Sequence, residues 1–161
     1  MRVAAIVEYD GSSFSGWQWQ DCAPSVQEAV EKALSKVADA PIRVTTAGRT
    51  DAGVHASAQV IHFDTEVQRS NHAWLRGSNS NLPDSVALLW VSEVNPEFHA
   101  RFAATGREYR YVILNRPVRP TYLTQRVTHE YRPLDVERMQ AAAPLLVGTH
   151  DFSSFRAMQC Q

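Results

Sequence analysis

Two cysteines in 161 residues, Cys22 and Cys160, lie far apart and form no metal-binding or redox motif. That excludes a disulfide scaffold, and both read as free thiols in a reducing cytosol. No apolar run approaches the ~20 residues a membrane helix requires. Met1 opens directly on strand-like sequence, without the charged and apolar regions of a signal peptide. Internal repeats and low-complexity segments are also missing. An excess of positive charge is lacking as well: 16 Lys+Arg stand against 17 Asp+Glu, a net charge of −1. This counts against a simple nucleic-acid-binding domain.

What charge there is falls unevenly. Residues 1–100 carry 7 Lys+Arg against 12 Asp+Glu, whereas residues 101–138 carry 8 Arg against 4 acids. Fourteen of the 16 basic residues are Arg, whose planar guanidinium suits phosphate contact and base stacking. Any one of them, taken singly, reads as solvated surface. A content of 44% hydrophobic and 20% charged residues supports an ordinary globular core. The length allows one full domain and the beginning of another.

Apolar periodicity sets the order of elements. Arg2 to Asp10 alternates as a strand, and residues 11–24 form a loop. Ser25 stands three residues before Glu28, a capping-box spacing that opens a helix with Val26, Val30, Ala33, Leu34 and Val37 on its apolar side. Two strands follow, Ile42 to Thr46 and Ala58 to Asp64, then a short helix within Ser70 to Leu82 and an aliphatic strand from Val86 to Val94. The order β-α-β-β-α-β predicts an α+β fold, an antiparallel ferredoxin-like sheet covered by helices on one face. Residues 105–161 predict the start of a second α/β half: a strand from Arg107 to Leu114, another within 121–132, and a helix capped by Asp135 and ended by Gly148. The expected domains are therefore 1–104 and 105–161, the second incomplete.

Between the two central strands lies AGRTDAGVHA, Ala47 to Ala56. Gly48 and Gly53 bracket Arg49, Thr50 and Asp51, so one carboxylate sits at a fixed loop position with a guanidinium two residues away. A lone Asp in such a loop is ordinarily a turn residue bonding its own backbone. The loop does not stand alone, however. EYDGSSFSGWQWQ (8–20), GRTDAGVHA (48–56), FHARFAA (98–104), REYRYVI (107–113) and GTHDFSSFRA (148–157) together resemble, in the same order, the tRNA pseudouridine synthase A family. The resemblance covers essentially the whole chain.

It implies the pseudouridine synthase fold and the isomerisation of uridine to pseudouridine in the anticodon stem-loop of tRNA, at positions 38–40. It also implies a cytoplasmic homodimer that needs neither a metal nor another cofactor. Carried over by motif, Asp51 is the catalytic carboxylate. Tyr109 is the ring that stacks on the extruded base, with an ordinary core aromatic of a strand as the alternative. Arg49 pairs with Asp51 or a phosphate and helps hold the nucleotide. Trp17, Gln18 and Trp19 are candidates for the RNA surface, although core packing accounts for the tryptophans equally well. His99 and Arg101 receive no role. The same likeness makes the chain read as the front part of a longer enzyme. Two other readings compete: a metal site from Asp51, His55 and His62, and a catalytically incomplete fragment that acts only as an RNA-binding module. Strands on both sides of the loop oppose the metal site. The RNA recognition motif's sheet-face signature is absent.

Overall fold

Alternation of apolar residues along Arg2–Tyr9 (β1) buries Val3, Ala5, Val7 and Tyr9, and this row forms one wall of the core. The computed structural model describes residues 1–155; Cys160 and the end of the GTHDFSSFRA segment lie outside them. After a 3₁₀ turn at Gly11–Ser13 come α1 (Val26–Ala38), β2 (Thr45–Thr46), β3 (Ala56–Asp64), α2 (Asn71–Asn79) and β4 (Val86–Val94). The sheet order is β2-β3-β1-β4, and every neighbouring pair is antiparallel. β1 is central, with Ala5 opposite Ile61 on one side and Val91 on the other.

Both helices start where their sequence says they should. The Ser25 hydroxyl accepts the Glu28 N–H at 3.2 Å, and the Ser70 hydroxyl accepts the Ala73 N–H at 3.1 Å. Glu28 completes only half of the anticipated capping box, because its carboxylate takes the Lys32 ammonium at 2.6 Å instead. Val26, Val30 and Leu34 of α1, Trp74 of α2, and Ile61 and Phe63 of β3 meet in a single core with the β1 row and with Leu88 and Val91. The helices thus cover the face to which the odd-numbered residues of β1 point.

The strand expected from Ile42 to Thr46 shrinks to Thr45–Thr46. Ile42 and Val44 turn into the core, and the Val44 N–H is taken at 3.0 Å by the buried Glu31 carboxylate, which also receives Gln27 and Arg43. A side chain has replaced the neighbouring strand as hydrogen-bond partner there.

The structure separates into two compact units at Tyr109/Arg110, past the expected boundary at 104. The first unit, Met1–Tyr109, holds the four-stranded sheet and its helices. In the second, β5 (Ile113–Asn115) pairs in parallel with β6 (Thr128–Glu130), and α3 (Val136–Ala142) begins on Asp135, whose carboxylate accepts the Arg138 N–H at 3.0 Å. The strand anticipated over Arg107 to Leu114 is therefore only three residues long and starts later. No residue from Arg101 to Phe155 is buried. Among the described residues no helix is long and apolar enough to cross a membrane.

Candidate active site

The loop joining β2 to β3 is fixed at its base by backbone and side chains together. Ala47 N–H bonds the Val60 carbonyl at 2.8 Å, which continues the β2–β3 pairing into the loop. The next carbonyl, that of Gly48, accepts from the Gln59 amide at 2.6 Å and the Thr46 hydroxyl at 3.0 Å. Arg107 closes the base: its Nε and Nη2 donate to the Ala47 carbonyl at 3.2 and 2.6 Å.

The crown of the loop leans on the segment that follows β1. Trp17 N–H donates to the Thr50 carbonyl at 2.9 Å, and Gly53 N–H donates to the Phe14 carbonyl at 3.3 Å. Gly11 N–H donates to His55 Nδ1 at 3.1 Å. This approach is possible only because two glycines face the loop. A Cβ on Gly11 would stand 2.0 Å from the Val54 carbonyl oxygen, and one on Gly16 would stand 2.7 Å from that of Thr50. Gly16 also has φ +96°, which other residues rarely adopt. The two segments that stood out in sequence, 8–20 and 47–56, are therefore two sides of one structure.

Asp51 lies at the tip. Its carbonyl accepts the Val54 N–H at 3.2 Å, closing a tight turn whose third residue, Gly53, has φ +78°, as a type II turn requires. The Asp51 carboxylate is exposed, and among the described residues it has no hydrogen-bond or ion-pair partner. It does not bond its own turn, so the ordinary explanation for an Asp in a loop does not hold. Arg49 is exposed too and forms no ion pair with Asp51 here.

Tyr109 is 71% exposed, so it is not the core aromatic of a strand. Its hydroxyl stands 4.0 Å from where a Cβ on Gly48 would be, and Arg107, two residues earlier, grips the neighbouring Ala47. The fold thus gathers Arg49, Asp51 and Tyr109 around one loop, with an anionic group, a cationic group and an aromatic face all open to a ligand.

Other expectations fare differently. Trp17 is buried at 1% exposure, its ring 5.9 Å from that of Tyr9, so it belongs to the core and not to an RNA surface. Trp19 is exposed, as is Gln18. The three residues of the rival metal reading do not converge: His55 Nδ1 turns to Gly11 and Asp10, and His62 Nδ1 accepts the Ala100 N–H at 3.1 Å on the opposite face of the sheet from the helices. Among the described residues no three of His, Cys, Asp and Glu come together as a metal ion would need.

On that same face His62 packs against Phe98 and against His99, whose ring centroid is 4.8 Å away. Burial, first, and then the charges of Arg2 and His99 push His62 below the ordinary imidazole range. Arg2 binds both Asp64 oxygens and the Pro96 and Phe98 carbonyls, so the start of the FHARFAA segment is strapped to the first residue of the central strand; Arg101 lies 5.8 Å over the Phe102 ring. That hydrogen bond from Arg2 holds the Asp64 carboxyl below its usual value.

Sequence reasoning passed over Tyr9, Thr50, Gln59 and Arg107. All except Gln59 lie inside the motifs quoted above, but nothing in a motif distinguishes a group that faces a ligand from one that holds the loop.

The chain is similar to known proteins along its length. A family model described as tRNA pseudouridine synthase matches residues 5–103, which includes both sides of the loop structure. The tRNA pseudouridine synthase A of Methylococcus capsulatus is 60% identical over 161 residues, all of this chain and 59% of that protein. That of Klebsiella pneumoniae subsp. pneumoniae is 58% identical over 160 residues, covering 99% of this chain and 59% of that protein. That of Pseudomonas aeruginosa is 56% identical over 161 residues, covering 99% of this chain and 56% of that protein. The chain thus spans somewhat more than half the length of these relatives. With its first unit matched almost throughout, the chain belongs to the tRNA pseudouridine synthase family.

Proposed function

We propose that the protein isomerises uridine to pseudouridine in tRNA, with the Asp51 carboxylate as the catalytic group. One observation carries this reading: an exposed carboxylate without a partner among the described residues stands at the tip of a loop that is hydrogen-bonded on both sides and whose base, at Gly48, is approached by an open tyrosine. Uridine isomerisation breaks the bond from N1 to C1′, rotates the base and joins C5 to C1′. The proton lost from C5 is balanced by one gained at N1, so no oxidant or reductant enters. Such a reaction calls for a carboxylate near C1′ and C2′ that is either a nucleophile toward C1′ or a base toward C2′. The chain's own residues would supply the rest. Tyr109 stacks on the extruded base, at about 1–3 kcal/mol per stacked base, and this offsets much of the few kcal/mol that extrusion costs. Arg49 meets a phosphate.

The finer parts of the reading follow from the family. We take the substrate to be the anticodon stem-loop at positions 38–40 and the working form to be a homodimer. The sheet order β2-β3-β1-β4, antiparallel throughout, supports assigning the first unit to the ferredoxin-like class. Replacing Asp51 by Asn, in the protein at its natural length, keeps the shape and removes the charge. Folding and tRNA binding are expected to persist while tritium release from 5-tritiated uridine in tRNA stops. Near-normal turnover by Asp51→Asn would remove Asp51 from this role.

A further inference from the structure

We propose that Tyr9 is a positioning residue for Asp51, acting through Thr50. The proposal rests on the role given to Asp51 above and adds the device that aims it. Tyr9 ends the central strand and is buried, with its ring between the Trp17 indole and the rest of the core. Its one polar atom escapes the core at a single point: the hydroxyl meets Thr50 Oγ1 at 2.8 Å. Thr50 is the residue immediately before Asp51, and its carbonyl is also held by the Trp17 N–H at 2.9 Å. The same pair of aromatic residues therefore grips Thr50 twice, once by its side chain and once by its backbone.

The physical consequence is directional. A turn tip built from Asp51 to Val54 has freedom to rock about its attachment, and glycine at 53 adds none of the stiffness that a side chain would. A strand in the middle of a sheet is the most rigid element available, and β1 has a neighbour on both sides. The Tyr9 hydroxyl transmits that rigidity to the backbone one residue from the carboxylate. Reactions that depend on orientation lose about 10²-fold for a misplacement on the order of 1 Å. A loosened, not displaced, carboxylate should lose part of that, about tenfold.

Removing the bond from the Tyr9 side costs folding little. Thr50 is only half-buried, so water can replace the lost partner on the Thr50 side, and Tyr9→Phe keeps the ring and its packing. A loss of turnover without a matching loss of stability is thus the signature that separates aiming from support.

The test is steady-state pseudouridine formation on tRNA by the protein at its natural length, with thermal unfolding measured on the same samples. Tyr9→Phe and Thr50→Val should each lower kcat about tenfold, with KM for tRNA changed less than about twofold; Tm should move by only a few degrees in Tyr9→Phe and further in Thr50→Val, which leaves the buried Tyr9 hydroxyl without its partner. Thr50→Ser retains the hydroxyl and should keep kcat within about twofold. The double variant Tyr9→Phe/Thr50→Val should be no slower than the worse single one, because both remove one shared bond. Unchanged kcat in Tyr9→Phe, or multiplying losses in the double variant, overturns the proposal. So does a fall in activity that simply follows the unfolded fraction. Asp51→Asn is assayed alongside. If it is inactive while Tyr9→Phe is normal, only the positioning role fails; if Asp51→Asn is active, both readings fall.

Discussion

At the scale of single residues, the candidate site is made of side chains that the fold leaves without internal employment. Tyr109 has 71% of its surface open, and replacing it should change Tm by only a few degrees. Tyr109→Phe is expected to keep most of the activity and Tyr109→Ala to lose it, since the stack is worth about 1–3 kcal/mol. If Tyr109→Ala unfolds the protein instead, the ring is a packing residue. His62 is the opposite kind of residue, buried and used for structure. Its neutral Nδ1 accepts the Ala100 N–H, and its pKa in the fold lies below the ordinary 6.5. The sign follows: stability from the neutral ring is full above about 6.5 and declines as pH falls below it toward the lowered folded value. Arg2 and His99 reinforce the decline and Asp64 opposes it. Thermal unfolding between pH 7.5 and 5.5 should show a falling Tm, and His62→Gln should flatten that dependence. An equally steep profile in His62→Gln would assign the effect elsewhere.

Among elements, the decisive relation is between the segment after β1 and the loop between β2 and β3. Gly11 backs directly onto Val54, so close that an added methyl would overlap backbone atoms on both counts, 2.0 Å from the oxygen and 2.6 Å from the carbon. Backbone cannot swing aside as a flexible side chain does. Gly11→Ala should therefore push the 51–54 turn outward and cost roughly 10²-fold in turnover. Gly106→Ala, where a Cβ meets open space, is the control expected to behave as wild type. Comparable turnover for the two variants would show that the contact with Val54 does not set the loop's position. This scale also explains the shortened β2. Glu31, one turn into α1, reaches across to the Val44 N–H and to Arg43, and it converts an expected strand into an irregular segment tied to a helix.

At the scale of the whole molecule, burial among the described residues is confined to one unit. The first 109 residues contain the core, and no residue from Arg101 to Phe155 is buried, although that stretch includes Phe102, Tyr111, Tyr122 and Leu145 with more than three quarters of their surface exposed. β5 and β6 have three residues each, and a two-stranded sheet is marginal in water. The 161-residue chain studied by amide hydrogen exchange should show slow exchange in β1, β3 and β4 and fast exchange beyond about residue 115, where few buried contacts oppose local opening. Slow exchange throughout would sink this expectation.

The sequence by itself determined the elements of the first unit and the family. Period-two alternation marks β1 and β3, an aliphatic run marks β4, and Ser25 marks a helix start because a free N–H needs an oxygen there. The five motifs brought Arg49, Asp51 and Tyr109 forward together. Pattern could not say which aromatic residue faces inward, and Trp17, grouped with Trp19 in sequence, proved to be core while Tyr109 lies open. Nor could it find partners remote in the chain, such as Tyr9 for Thr50 or Arg107 for Ala47, 41 and 60 residues apart. Local preference acts over a few residues, whereas these bonds exist only once the sheet has brought distant segments within 3 Å. Which groups hold the loop and which are left free to act was decided there, by packing.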